Sequence, residues 1–170
     1  HRVFKKRPSP NDPRLRGPVH SSSIRDRSFS LDSGRARRVV LILTERCNLA
    51  CSYCYAGQGA YGKGSSNRIR DHQINSILSY LERVFPLGIE NLQFFGGEPL
   101  LEARAIRSIC ERSSNYASIK GSSLSVVTNG TVLSESILQL LTTYHIAVTI
   151  SLDGPAKFHD LYRVFKHGGH

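Results

Sequence analysis

Length, composition and charge limit the chain to ordinary globular classes. Its 170 residues are enough for one domain with a single packed core, and its 39% hydrophobic and 21% charged residues are typical of a globular protein. No apolar run reaches the roughly 18 residues of a membrane helix, and no signal peptide is predicted, so we expect a cytoplasmic protein. The chain starts at His1 and contains no Met, so we expect it to be part of a longer protein.

Positive charge is concentrated at the start of the chain. Residues 1–40 carry eleven Lys and Arg against three Asp, whereas residues 41–170 carry twelve basic and ten acidic side chains. Residues 1–37 are also rich in Pro and Ser, which predicts a basic, flexible leader before a folded region over residues 38–170. A basic leader could attract RNA or an acidic peptide, but the nearly neutral folded region does not indicate a nucleic-acid-binding domain.

Apolar patterns predict alternating strands and helices along the folded region. A continuous apolar run over residues 39–43 predicts a strand buried on both faces, and helical periodicity between the candidate cap Asp71 and Pro86 predicts the first helix. The remaining predicted elements are strands over residues 92–95, 124–128 and 146–151, and helices that start at Pro99 and Ser134. This alternation indicates an α/β fold with a parallel sheet, either doubly wound or part of a barrel.

Three of the four cysteines lie within eight residues. Cys47, Cys51 and Cys54 follow the first predicted strand, whereas Cys110 is expected to be a buried apolar residue of the second helix. A dense cluster indicates a metal or redox site rather than a disulfide framework. The spacing suits three thiolates around one corner of an iron–sulfur cube, which leaves one iron without a protein ligand. A structural zinc site would need a fourth ligand, and a redox pair would leave Cys47 unexplained.

Each of the other predicted strands is followed by a short polar or glycine-containing motif. Residues 96–99 are Gly-Gly-Glu-Pro, residues 128–130 are Thr-Asn-Gly, and residues 151–155 are Ser-Leu-Asp-Gly-Pro. Ligands of parallel α/β proteins bind at the carboxyl ends of the strands, where successive loops meet. Each motif alone is typical of a turn, but four such sequences at four successive strand ends predict one shared site.

The cysteine spacing and the three motifs, in this order, resemble the radical S-adenosylmethionine (radical SAM) superfamily. Its signature is C-x3-C-x2-C with an aromatic residue before the third Cys, a place that Tyr53 holds. The pattern is most similar to peptide- and protein-modifying maturases, such as anaerobic sulfatase-maturating enzymes and enzymes with a SPASM domain. The resemblance implies a partial (βα)6 barrel, of which this chain would be an N-terminal fragment with about four parallel strands and three helices. One departure is Phe95, where that group commonly has Gln.

The resemblance also implies the cofactors, a [4Fe–4S] cluster and S-adenosylmethionine, and their ligands. Cys47, Cys51 and Cys54 would ligate the cluster, and Tyr53 would lie beside the adenine. The other implied contacts are Gly97 and Glu98 with the methionine amino group, Ser151 and Arg163 with the ribose and carboxylate end, and Asn129 nearby.

The implied activity is the formation of a 5′-deoxyadenosyl radical that takes a hydrogen atom from a peptide or protein side chain. An external one-electron donor of the flavodoxin or ferredoxin type would reduce the cluster. The alternatives are a superfamily member that modifies RNA or a small molecule, and a non-enzymatic zinc-binding module. We expect the chain alone to be inactive, because it would contain only about half of the barrel, and poorly soluble, because its fourth strand would be an exposed apolar edge.

Overall fold

The structure, a computed structural model, describes residues 34–57 and 67–169. Most of the predicted leader over residues 1–37 therefore lies outside the described residues. The strands are β1 (Val39–Thr44), β2 (Asn91–Gly96), β3 (Ser123–Thr128) and β4 (Ala147–Ile150). The helices are α1 (Asp71–Val84), α2 (Ala103–Ser113), α3 (Glu135–Thr143) and α4 (Ala156–Tyr162), and a short 3-10 helix, Pro99–Glu102, precedes α2.

The four strands form one parallel sheet in the order β1-β2-β3-β4. Ile42 pairs with Phe95, and the register then shifts so that Thr44 pairs with Gly96. At the other side of the sheet, Thr128 at the end of β3 pairs with Ile150 at the end of β4. All four strands therefore end at the same edge, as the predicted α/β fold requires.

The core lies between one face of the sheet and the helices. Leu92, Phe94 and Val126 are fully buried there, against Ile74 and Leu78 of α1 and other apolar side chains. The prediction that the first strand is buried on both faces was wrong. Val40 and Ile42, on the opposite face of β1, are 47% and 56% exposed, because that face of the sheet is open in the described part of the chain.

The helix starts differ in detail from the prediction. The cap of α1 is Arg70, whose backbone N–H donates to Oε1 of Gln73 at 2.9 Å, whereas Asp71 is the first helical residue and pairs with Arg112 of α2 at 2.7 Å. Pro99 begins the 3-10 helix and not α2 itself. Ser134, predicted as the start of the third helix, is the cap of α3, and its side chain accepts a hydrogen bond from the Ile137 N–H.

A fourth helix, α4, was missing from the three predicted. It follows the Ser-Leu-Asp-Gly-Pro motif and starts directly after Pro155. Within the described ranges, none of these helices has the length and apolar character needed to cross a membrane.

Candidate functional site

The loop after β1 brings the three clustered cysteines to one pocket. Cys47, Cys51 and Cys54 carry free, partly exposed thiols and line a cavity of about 210 Å³ at the carboxyl edge of the sheet. Tight turns shape this loop, because the Cys54 N–H donates to the Cys51 carbonyl and the Leu49 N–H to Sγ of Cys47, at 3.1 and 3.4 Å. The opposite wall comes from the ends of β2, β3 and β4.

A segment after β4 holds the cysteine loop in place. The Ala50 N–H donates to the Val164 carbonyl at 2.7 Å, the Ser52 N–H to the Tyr162 carbonyl at 3.0 Å, and the Lys166 N–H to the Asn48 carbonyl at 3.0 Å. These bonds make a short antiparallel pairing of residues 48–52 with residues 162–166. The segment that starts at the end of α4 therefore fixes the loop that carries the thiols.

Glu98, which follows β2, connects the end of that strand to the end of β3. Its side chain is completely buried; Oε1 accepts from Thr128 Oγ1 at 2.7 Å and from the Leu100 N–H at 3.0 Å, and Oε2 accepts from the Asn129 N–H at 2.7 Å. Three donors around one carboxylate offset the cost of burying its charge. In the structure Glu98 thus orients β3 and the turn after it, and its predicted contact with a ligand stays a prediction.

Asn129 joins the end of β3 to the cysteine loop. Its Nδ2 donates to Oδ1 of Asn48 at 3.0 Å and lies 3.8 Å from Sγ of Cys47, and its Oδ1 accepts from the Thr131 N–H at 2.9 Å. Nδ2 therefore holds the cysteine loop close to the strand, and Oδ1 stabilises the turn after β3.

Tyr53, Asp153 and Arg163 form a connected group at the rim of the pocket. The Tyr53 hydroxyl donates to Oδ2 of Asp153, and the Arg163 Nε donates to the same oxygen at 3.0 Å while Nη2 donates to Oδ1 at 3.3 Å. The Arg163 guanidinium also lies over the Tyr53 ring, 5.6 Å from its centroid. Asp153 thereby ties the aromatic residue of the cysteine loop to the segment after α4.

Burial and these contacts shift the pKa values of several side chains at the site. Partial burial, followed by the hydrogen bond to Asp153, raises the pKa of Tyr53 to about 12. The Tyr53 hydroxyl and the Arg163 guanidinium lower the pKa of Asp153. Burial raises the pKa of both Cys47 and Cys51, and the positive charge of Arg163 opposes that rise at Cys51. Metal binding at these thiols must therefore release protons.

Most of the predicted site residues lie together. Of the nine residues predicted for the site, eight line the pocket: Cys47, Cys51, Tyr53, Cys54, Gly97, Asn129, Ser151 and Arg163. Glu98 is the ninth and lies behind the pocket wall. Phe95, the departure from the expected Gln, adds its ring to the lining.

Sequence reasoning missed Asp153, which it treated as part of a turn. Asp153 and Arg163 are ten residues apart, and neither a helical nor a strand periodicity predicts that two residues at this spacing form a pair. The available signal was the position of Asp153 two residues after Ser151, at a strand end where polar side chains converge.

Comparisons with known proteins give the same assignment. The family model of the radical SAM superfamily matches residues 41–170. The chain belongs to the radical SAM superfamily. The radical SAM cyclopropyl synthase TigE of Paramaledivibacter caminithermalis is 29% identical over 134 residues, which cover 72% of this chain and 28% of that protein. The GTP 3′,8-cyclase of Clostridium botulinum (strain Hall) is 30% identical over 127 residues, which cover 75% of this chain and 37% of the cyclase.

A solved radical SAM structure shares the fold. Native anSMEcpe with bound AdoMet and Cp18Cys peptide superimposes with a TM-score of 0.65 at 26% identity, over 79% of this chain and 36% of that chain. The parallel sheet is therefore part of a radical SAM barrel, as predicted. The chain spans about a third of the length of the proteins it matches.

The donor chemistry of the pocket fits the cofactors of a radical SAM protein. No three His, Cys, Asp or Glu side chains within residues 34–57 and 67–169 are grouped to hold a single metal ion. An iron–sulfur cube asks for a different arrangement, because each of its cysteine ligands binds a different iron atom. Three free thiols on one wall of a single pocket match that donor set. Among the described residues the Ser151 hydroxyl, on the facing wall, has no hydrogen-bond partner, so it is available to a ligand.

Proposed function

We propose that this chain forms the cofactor-binding part of a radical SAM enzyme that modifies a peptide or protein side chain. The observation that carries the proposal is the single pocket where Cys47, Cys51 and Cys54 face the ends of β2, β3 and β4. The three thiolates would hold a [4Fe–4S] cluster, and the facing strand ends would hold S-adenosylmethionine. When bound, this pair supplies a 5′-deoxyadenosyl radical that takes a hydrogen atom from the substrate.

The residues around the pocket would orient the bound cofactor. The ring of Tyr53 offers a flat surface to the adenine, and Arg163 offers a guanidinium to the ribose and carboxylate end. Ser151 presents a free hydroxyl on the same side, whereas Gly97 forms the part of the wall proposed for the amino group, with the buried Glu98 directly after it in the chain. Asn129 keeps Cys47 close to that wall.

The protein's further contribution is to exclude water from a reactive radical. Leu49, Ala56, Phe95 and Val127 give the pocket an apolar lining. Such a lining protects a radical from solvent and leaves the polar groups at defined positions. An external one-electron donor of the flavodoxin or ferredoxin type would supply the electron, and a reducing cytoplasm would keep the thiols free.

A peptide or protein substrate is supported by the likeness to anSMEcpe, whose structure holds a peptide beside AdoMet. A small-molecule substrate is the second candidate, because relatives at 30% identity are GTP 3′,8-cyclases. The two candidates are separated by incubating the reconstituted protein with a cysteine-containing peptide or with GTP under reducing, anaerobic conditions. Deuterium transfer from a labelled peptide into 5′-deoxyadenosine supports the first candidate, and consumption of GTP supports the second.

The cofactor site itself is tested by anaerobic iron–sulfur reconstitution of the chain. We expect about four iron and four sulfide per chain, and an EPR spectrum of the reduced cluster that changes when S-adenosylmethionine is added. Cys51→Ala is expected to abolish the cluster. Cys110→Ala is the matched control, because Cys110 is buried in α2 away from the pocket and its loss leaves the three clustered thiols intact.

Bound zinc without sulfide in a chain that is folded by circular dichroism would contradict the proposal and favour a zinc module. Equal loss of iron in Cys51→Ala and Cys110→Ala would also contradict it, because the cluster would then not depend on the pocket.

A further inference from the structure

A second cavity lies where the first turns of α1 and α2 meet. It has a volume of about 390 Å³ and shares no lining residue with the cofactor pocket. Its lining consists of Arg68, Ile69, Arg70, Asp71, Ile74, Glu102, Arg104, Ala105 and Ser108. Nothing in the proposed radical chemistry uses these side chains, so the cavity needs its own explanation.

The wall of this cavity contains a buried carboxylate without a partner. Glu102 is only 9% exposed, and its Oε1 is buried and makes no hydrogen bond within the described residues. Glu98, the neighbouring buried glutamate, accepts three hydrogen bonds. A buried carboxylate oxygen with no donor is costly, and Glu102 lines this cavity, so a ligand hydroxyl that reached Oε1 would supply the missing hydrogen bond.

Three arginines surround the same cavity. In residues 34–57 and 67–169, no carboxylate forms an ion pair with Arg68, Arg70 or Arg104. The other acid of the lining, Asp71, is already paired with Arg112 at 2.7 Å. Three arginines against the single charge of Glu102 give the lining an excess of about two positive charges.

We propose that this cavity binds a phosphate monoester that carries free hydroxyl groups, that is, a sugar phosphate or a nucleotide. A phosphate monoester carries nearly two negative charges at neutral pH, which matches the excess charge of the lining. Arginine binds phosphate through paired N–H groups, and a buried carboxylate is a suitable acceptor for a ribose hydroxyl. A carboxylate ligand or a zwitterion would leave positive charge unmatched, and the volume lies in the range of small-ligand sites.

Calorimetric titration of the 170-residue chain tests this site. The probes are ribose 5-phosphate, AMP, inorganic phosphate and adenosine. We expect both esters to bind about tenfold or more tightly than inorganic phosphate, because only they offer a hydroxyl to Glu102, and we expect adenosine not to bind. Equal affinity for the two esters would identify the ligand class as sugar phosphates, and tighter binding of AMP would identify it as nucleotides.

Variants of two arginines of α2 distinguish specific binding in the cavity from nonspecific attraction to a basic protein. Arg104→Gln removes a charge from the lining, and Arg107→Gln removes the same charge from the same helix outside the cavity. We expect about a tenfold loss of ester affinity in Arg104→Gln and none in Arg107→Gln. Absence of ester binding, or an equal loss in both variants, would overturn the proposal.

Glu102→Gln tests the hydroxyl contact. This variant removes a negative charge, so inorganic phosphate should bind as well as before or better, while the preference for ribose 5-phosphate over phosphate should fall about tenfold. An unchanged preference in a variant that is folded by circular dichroism would overturn the assignment of Glu102. If this variant does not fold, the arginine pair still decides the proposal, since both arginines are exposed.

Discussion

The absence of a Cβ at Gly97 allows the cysteine loop to lie close to the end of β2. A Cβ at this position would lie 2.3 Å from the Arg46 carbonyl oxygen and 3.0 Å from the Cys47 nitrogen. The backbone instead approaches so closely that the Gly97 and Glu98 N–H groups donate to the Thr44 and Arg46 carbonyls at 2.9 and 2.8 Å. Glycine is therefore needed here for contact between two backbone segments, in addition to any contact with a ligand.

Gly97→Ala should destabilise the fold strongly. The new methyl group meets backbone, which cannot rotate away, so we expect a loss of about 3 kcal/mol or more in the free energy of unfolding. Urea denaturation followed by circular dichroism measures it. Gly121→Ala is the control, because that position has a positive φ but open space around its Cβ, and it should lose only about 1 kcal/mol. Equal losses would show that the close approach at Gly97 is not what matters.

The sequence was informative about residue types at the site and less so about their partners. The cysteines and strand-end motifs predicted which side chains converge, because parallel strands end at one edge. Thr128 as a partner of Glu98 and Arg163 as a partner of Asp153 could not be predicted, since they lie 30 and 10 positions away and no periodicity connects them. The buried position of Glu98 follows from β3 lying beside β2, which is a property of the sheet and not of the motif.

At the scale of elements, the cysteine loop depends on α4, the helix that pattern reading missed. α4 has only seven residues and none of them is buried, so its sequence shows no apolar stripe. Its function in the structure is to deliver residues 162–166 and Arg163 to the loop. The loop is thus held by residues about a hundred positions later in the chain: residues 162–166, and Asp153 just before α4.

The Tyr53–Asp153 contact should appear as a pH-dependent coupling in a double-mutant cycle. Combining Tyr53→Phe with Asp153→Ala should cost less stability than the sum of the single changes, because both remove the same hydrogen bond. The pKa of Asp153 is lowered in the folded state, so its contribution is present above its ordinary pKa and is lost as the pH falls through the lowered value. Urea unfolding of the four proteins from about pH 7 to about pH 3 measures this change.

Tyr162→Phe is the matched control for this cycle. Tyr162 packs near Tyr53, with ring centroids 6.3 Å apart, but within the described residues its hydroxyl has no hydrogen bond. Its change should show no coupling to Asp153→Ala at any pH. A coupling as large as that of Tyr53 would indicate that general packing of the loop, and not the carboxylate, links the two segments.

For the molecule as a whole, both edge strands of the described sheet, β1 and β4, carry exposed apolar side chains. β4 pairs only with β3 among the described strands, and its Val148 and Ile150 are 41% and 44% exposed. Both point to the same face as the buried Val126, as the register of β3 and β4 requires. The alternation of strands and helices could predict the parallel sheet, but only the structure shows how much of this face is covered at β4.

This edge should make the chain self-associate, and one charge on it should reduce that association. An exposed edge strand offers unpaired backbone groups to another copy, and natural proteins often protect such edges with lysine. Val148→Lys should therefore shift the chain towards monomer in size-exclusion chromatography with light scattering. Leu87→Lys is the matched control, because Leu87 is 64% exposed, lies outside the strands, and receives the same charge. A similar shift in both variants would mean that net charge, and not the β4 edge, governs association.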